Sequence, residues 1–274
     1  MKRKHVRFFL LPVCFLCCAV QGIFAQEYDS TTGSGSTPEQ KYSPIKLGLA
    51  FESLHLWRGI EVNNTPCLES SVAFQTRDKS FNAGVWYNNA VSGTYKEVDY
   101  FASYTKKGLV VAVWDIFNFD DSAKYNHTQV FNYNAGQTGH FIDFDLGYTL
   151  QGHYPLSIYT STVVWGRDRG WDNKKNLFSN YTQLTVPAVM NKEVNLSFIV
   201  GGAFAFRPDH NLNTEGQEVK GTFYTKKSNA DFTNIAFVAT RNITVLHHQF
   251  PVSGTVSWNP NFNQAHLMLS TVLF

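Results

Sequence analysis

The stretch "NAGVWYNNAVSGTYKEVDYFASYTKKGLVVAVWDIFNF", residues 82–119, decides the fold. It holds three runs in which aromatic and β-branched residues alternate with polar ones. Only "VSG" and "KKG" separate them. A period of two is the signature of strands. These runs are about twice the usual five or six residues, and they carry Glu97, Asp99 and Asp115 inside them.

Outward from this stretch the same pattern predicts strands over 46–58, 66–77, 80–90, 94–105, 108–118, 139–150, 155–166, 177–188, 193–206, 229–240, 249–258 and 262–274. That is an even number. The connectors sort by parity: "GIEVNNT" then "DK"; "VSG" then "KK"; a long loop from Phe119 then "QGHY"; "RDRGWDNKKN" then "MNKE"; a long loop over 207–228 then "RNITVLHH". Every second connector is short, apart from the last. An all-β transmembrane antiparallel β-barrel of about 12 strands has this asymmetry, with short periplasmic turns and longer external loops. A secreted β-sandwich is the alternative, but its strands are shorter and its loops do not sort this way.

The N-terminus sets the destination. Lys2, Arg3, Lys4 and Arg7 precede an apolar run from Phe8 to Val20, and Ala25 offers a small residue before a cut at Gln26. This reads as a cleaved signal peptide over 1–25, since the run is too short for a membrane-spanning helix. Lipidation at Cys17 or Cys18 is the alternative, disfavoured by the bulky residues of "VCFLC". Residues 26–45 are Gly/Ser/Thr-rich and read as a flexible periplasmic leader. Residues 46–274 form the barrel, placed in the cell outer membrane.

Removing the signal leaves 19 basic residues against 21 acidic ones, so nothing supplies the basic excess that nucleic acid demands. Cys67 becomes the lone cysteine, and no intrachain disulfide can form. Mean hydropathy is −0.22. A barrel strand exposes only alternate residues to lipid and therefore needs no long apolar run.

Trp57, Trp86, Tyr87, Tyr95, Trp114, Phe117, Tyr148, Tyr154, Trp165 and Trp258 fall towards strand ends, as interfacial belts require. Alternation assigns faces where it is clean. Val98, Tyr100, Ala102 and Tyr104 oppose Glu97, Asp99 and Ser103; Ile142, Phe144, Leu146 and Tyr148 oppose Asp143 and Asp145; Leu49, Phe51, Leu68 and Val72 oppose Glu52 and Glu69. Asp115 is set against Trp114 and Ile116. Carboxylates are costly against lipid, so the expected pore-lining set is Glu52, Glu69, Glu97, Asp99, Asp115, Asp143 and Asp145, with Arg58 at the external rim. Rings of carboxylates favour cations; pairing with loop lysines folded into the barrel, merely stabilising it, is the competing role for the same groups. The faces of 155–166, 229–240 and 262–274 stay open, because they do not alternate cleanly.

At "LWRGIEVNNTP" (56–66), "FNAGVWYNN" (81–89) and "EVDYFASYTKKG" (97–108) the chain resembles the TorF-type porins, a family of outer-membrane β-barrels of Gram-negative bacteria. The likeness covers about 46–119. It implies an outer-membrane location and a pore-like architecture. The ending "HLMLSTVLF", closing on Phe274, resembles the signal read by the outer-membrane barrel assembly machinery. Expected partners are therefore that machinery, outer-membrane lipid and lipopolysaccharide, with the barrel a monomer.

No nucleophile elbow, zinc-protease helix or phosphate-loop motif is present, and past the expected signal peptide, whose "CFLC" leaves with it, there is no paired-cysteine motif. His247–His248 reads as a solvated turn rather than a metal site. The function expected is a porin-like channel for passive diffusion of small solutes, weakly cation-selective, with no catalytic, cofactor or metal residues. A plugged structural or adhesive barrel is the alternative. An outer-membrane lipid-modifying enzyme using His55 or His266 as base is a weaker one, for want of a serine motif.

Overall fold

The computed structural model describes residues 42–121, 123–209, 221–226 and 228–274. The expected signal peptide and most of the leader lie outside the described residues.

Twelve strands close into one antiparallel barrel. They are β1 (Ile45–Glu52), β4 (Cys67–Gln75), β5 (Phe81–Ala90), β6 (Lys96–Lys106), β7 (Leu109–Asn118), β8 (His140–Thr149), β9 (Ser157–Gly166), β10 (Ser179–Met190), β11 (Asn195–Ala205), β12 (Ala230–Val245), β13 (His248–Asn259) and β14 (Gln264–Val272). Each pairs with its neighbours in sequence. The barrel shuts where β1 meets both β4, over eight residue pairs, and β14, over three from Ala50↔Val272 to Glu52↔Ser270. Closure leaves no open sheet edge.

A second, two-stranded sheet joins β2 (His55–Trp57) to β3 (Ile60–Asn63). The expected first strand, 46–58, therefore ends early. Arg58 and Gly59 both have positive φ, 55° and 80°, so the chain reverses in a two-residue turn between Trp57 and Ile60.

Connector parity is cleaner than the sequence suggests. "RNITV" continues β12, so the connection to β13 is only Leu246–His247, both at positive φ. All connectors at this end, 76–80, 107–108, 150–156, 191–194 and 246–247, are short. The opposite end carries 53–66, 119–139, 167–178 and 206–229, together with the shorter 91–95 and 260–263. Pro187 is tolerated within β10 because it sits at a bulge, beyond the last residue paired to β9.

The three unassigned strands have definite faces, and two of them explain why alternation failed. A bulge displaces Val164 in β9 and another displaces Thr233 in β12, each shifting the phase by one residue. Tyr159, Ser161 and Val163 face inward in β9, Asn234, Ala236 and Val238 in β12, and Met268 in β14. Outward residues such as Val72, Phe144, Ile158, Phe237, Val256 and Leu267 form an exposed apolar band around the barrel. Soluble monomers rarely carry a contiguous apolar surface of that extent.

Candidate functional site

The interior is not an empty tube. The β2–β3 hairpin folds into it, with His55, Leu56 and Arg58 all at least 95 % buried. Its tip crosses to the far wall. Gly59 packs so closely on β12 that a Cβ would collide with the Thr233 carbonyl and lie 2.7 Å from Asn234 Cβ, while Asn259 Nδ2 donates to the Gly59 carbonyl at 2.9 Å.

Arg58 thus lies deep in the barrel rather than at the rim where the sequence placed it. Its guanidinium stands 2.8 Å from Asp143 and 3.7 Å from Asp145 on β8. It donates to Tyr159 OH at 2.9 Å and to Tyr224 OH, and stacks on Trp57 at 4.3 Å. Burial alone would favour losing the proton, but Asp143, the two phenols and Asp145 outweigh it and raise the Arg58 pKa well above its ordinary value. Tyr224 comes from the 206–229 connector, whose Phe223 and Tyr224 also fold inward, with Phe223 N donating to Ser179 Oγ at 2.9 Å. Trp57, Phe141, Phe223, Tyr224 and Tyr181 form a continuous aromatic cluster around this point.

Between the hairpin and the β5–β8 wall remains a cavity of about 640 Å³. Glu97, Asp99, Trp86, Trp114 and Ile116 line its wall and His55 its hairpin side. Glu97 accepts from Tyr95 OH at 2.6 Å and from Asn118 Nδ2. Asn118 Oδ1 in turn accepts from Arg167, whose guanidinium covers the Tyr125 ring at 3.8 Å. Asp99 makes no ion pair among the described residues. In the 167–178 connector, Asp168 accepts from Ser179 N at 2.7 Å and Ser179 Oγ at 2.8 Å. Burial nevertheless pushes its pKa up to about 6.

Glu52, Glu69, Glu97, Asp99, Asp143 and Asp145 all point inward. Asp115 does not. Register pairs it with Tyr100 and Ile142, both outward, whereas Trp114 and Ile116 are the buried, inward neighbours. Its charge is held outside by His140 Nδ1 at 2.7 Å and Tyr133 OH at 2.5 Å, as part of the 119–139 loop folds down over the wall. The aromatic set divides likewise. Trp86, Tyr95 and Trp114 are buried inside, Trp57 lies on the hairpin, and Phe117 is covered by the loop; Tyr148, Trp165 and Trp258 remain outward.

Two features escaped the sequence. Arg167 reaches the cavity from a connector whose path no periodicity describes. Glu52, His55 and Glu69 bring their ligand atoms within 4.8 Å of one another. His55 Nδ1 lies 2.5 Å from Glu52 Oε1, so that although burial works to lower its pKa, Glu52, Glu97 and Glu69 raise it to about 9. The Glu52-x-x-His55 spacing is the available signal, and it is hidden when 46–58 forms one expected strand.

No family model matches the chain, and no curated protein does. Among solved structures, a NanC porin in a rhombohedral crystal form is similar at a TM-score of 0.42 and 9% identity, covering 83% of this chain and 97% of that one.

Proposed function

We propose that the chain is an outer-membrane channel for small solutes, with a lumen narrowed at Arg58 and a weak preference for cations. One observation carries this reading: six carboxylates converge on the inside of a closed barrel whose outer face is an apolar band. Arg58, Arg167 and His55 offset part of that charge, while Glu97 and Asp99 on the wall, with Asp120 beside them, contribute to the field of the cavity. Low-dielectric walls strengthen such a field relative to open water. The signal-like N-terminus and the TorF-type likeness over 46–119 point to the same membrane, where lipid and lipopolysaccharide would cover the band. Delivery by the barrel assembly machinery belongs to the same reading, and the barrel is read as a monomer.

The inward hairpin and Tyr224 favour a second reading, an occluded structural barrel. Planar-bilayer recording separates the two. The channel reading requires conductance from the purified chain, with a cation-selective reversal potential that falls in Glu97→Gln/Asp99→Asn protein still showing heat-dependent gel mobility. A silent wild type that conducts only after residues 54–64 are replaced by a short Gly/Ser turn supports the plug. Anion preference, or selectivity indifferent to both substitutions, refutes the proposed role of Glu97 and Asp99.

A further inference from the structure

We propose that Glu52, His55 and Glu69 form a binding site for a divalent transition-metal ion of the zinc class at the edge of the cavity. Glu52 closes β1, His55 opens β2, and Glu69 lies on β4 diagonally across from Glu52. The turn at Ser53–Leu54 swings the imidazole back over the carboxylate three residues earlier. The result is one ring nitrogen and two carboxylates within 4.8 Å of one another, Glu52 and His55 buried and Glu69 half-buried. One imidazole with two carboxylates suits zinc or a neighbouring first-row metal. Calcium and magnesium prefer all-oxygen shells with more ligands.

The local charge calls for a cation. His55 Nδ1 is already taken by Glu52 Oε1 at 2.5 Å. Glu69 is left with only a 3.4 Å contact to Trp86 Nε1 and an approach to Glu52 itself. A second carboxylate in a half-buried place is costly without a counter-charge.

Asn88 supplies an independent observation. Its side chain is fully buried on β5, with Nδ2 3.2 Å from Glu52 Oε1 and 3.3 Å from His55 Nδ1, and its carbonyl Oδ1 has no hydrogen-bond partner. Nδ2 is the atom that faces these two groups; turning the amide over would present Oδ1 to an ion there as a fourth donor. Cys67 is the cross-strand neighbour of Glu52, but its Sγ is engaged by Asn63 Nδ2 at 3.2 Å, so the site is an oxygen–nitrogen one. Bound metal would tie the root of the inward hairpin to two barrel strands.

The test uses the folded chain in detergent, stripped with chelator and titrated calorimetrically with zinc, so it does not depend on the channel reading. The site predicts one ion per chain, no competition from equimolar calcium or magnesium, and cobalt absorption without a thiolate charge-transfer band. Affinity should fall at least about ten-fold in His55→Gln and in Glu69→Gln, the second leaving the Glu52–His55 pair intact should the first fail to fold. His247→Ala/His248→Ala should bind as wild type. Absence of zinc uptake, uptake unchanged in Glu69→Gln, or uptake lost in the His247/His248 variant overturns the proposal.

Discussion

Replacing Arg58 with methionine keeps a long apolar stem over Trp57 and removes only the charge and its donors. The guanidinium lies 2.8 Å from Asp143 and 3.7 Å from Asp145, at 5 % or less side-chain exposure for all three. Removing one partner of a buried ion pair costs about 3–5 kcal/mol, because the remaining charge stays desolvated. The hydroxyls of Tyr159 and Tyr224 lose an acceptor role at the same time, which places the expected loss towards the upper end of that range. Equilibrium urea titration of the barrel in lipid vesicles, followed by gel mobility, measures it. Arg58→Met/Asp143→Asn should then recover part of the loss, with a coupling energy of about 1–3 kcal/mol. An Arg58→Met protein within about 1 kcal/mol of wild type, or a double variant that shows no coupling, refutes the buried pair as the anchor of the hairpin.

Gly59→Ala should lift the hairpin tip, since φ is 80° and a Cβ would meet the Thr233 backbone. The expected result is a loss of about 1–2 kcal/mol and, on the proposed channel reading, a higher single-channel conductance; wild-type stability would sink the packing argument. Asp168→Asn tests the buried carboxyl near pKa 6. Between the ordinary carboxylate range near 3.8 and about 6, the folded state holds a proton that the unfolded state has lost. This group's contribution to stability therefore falls as pH rises through that window, and the variant should show a flatter stability profile there.

Much of the barrel was legible because period two and connector parity are backbone properties, indifferent to what fills the interior. The error at Asp115 has a definite cause. Treating apolar residues as outward assumes a wet lumen, yet Trp86, Trp114 and Ile116 face an interior made aromatic by the inward hairpin and by Phe223–Tyr224. That assumption turned Asp115 inward, when its charge is held outside by His140 and Tyr133. The hairpin itself left a local trace, since "WRGI" places two turn residues between apolar neighbours. Its docking on β8, β9 and β12 is long-range, and no local pattern encodes it. Bulges at Val164 and Thr233 are likewise set by partner strands, which is why alternation in those segments read as noise.

The short union of β1 with β14 has a consequence for how the molecule is built. Three residue pairs hold these strands together, supplemented by backbone bonds joining Leu49 to Leu273 and Phe274 and Ser53 to Leu269. Every other staves-and-hoops join in the wall is longer. The hairpin is threaded into the interior directly after β1, so its insertion and the sealing of this narrow slit involve the same few residues of chain. A wall zipped along its short seam before the hairpin had entered would leave that segment stranded at the mouth. The seam is thus the join with the fewest residue pairs in the wall, set directly beside the point where the hairpin turns inward.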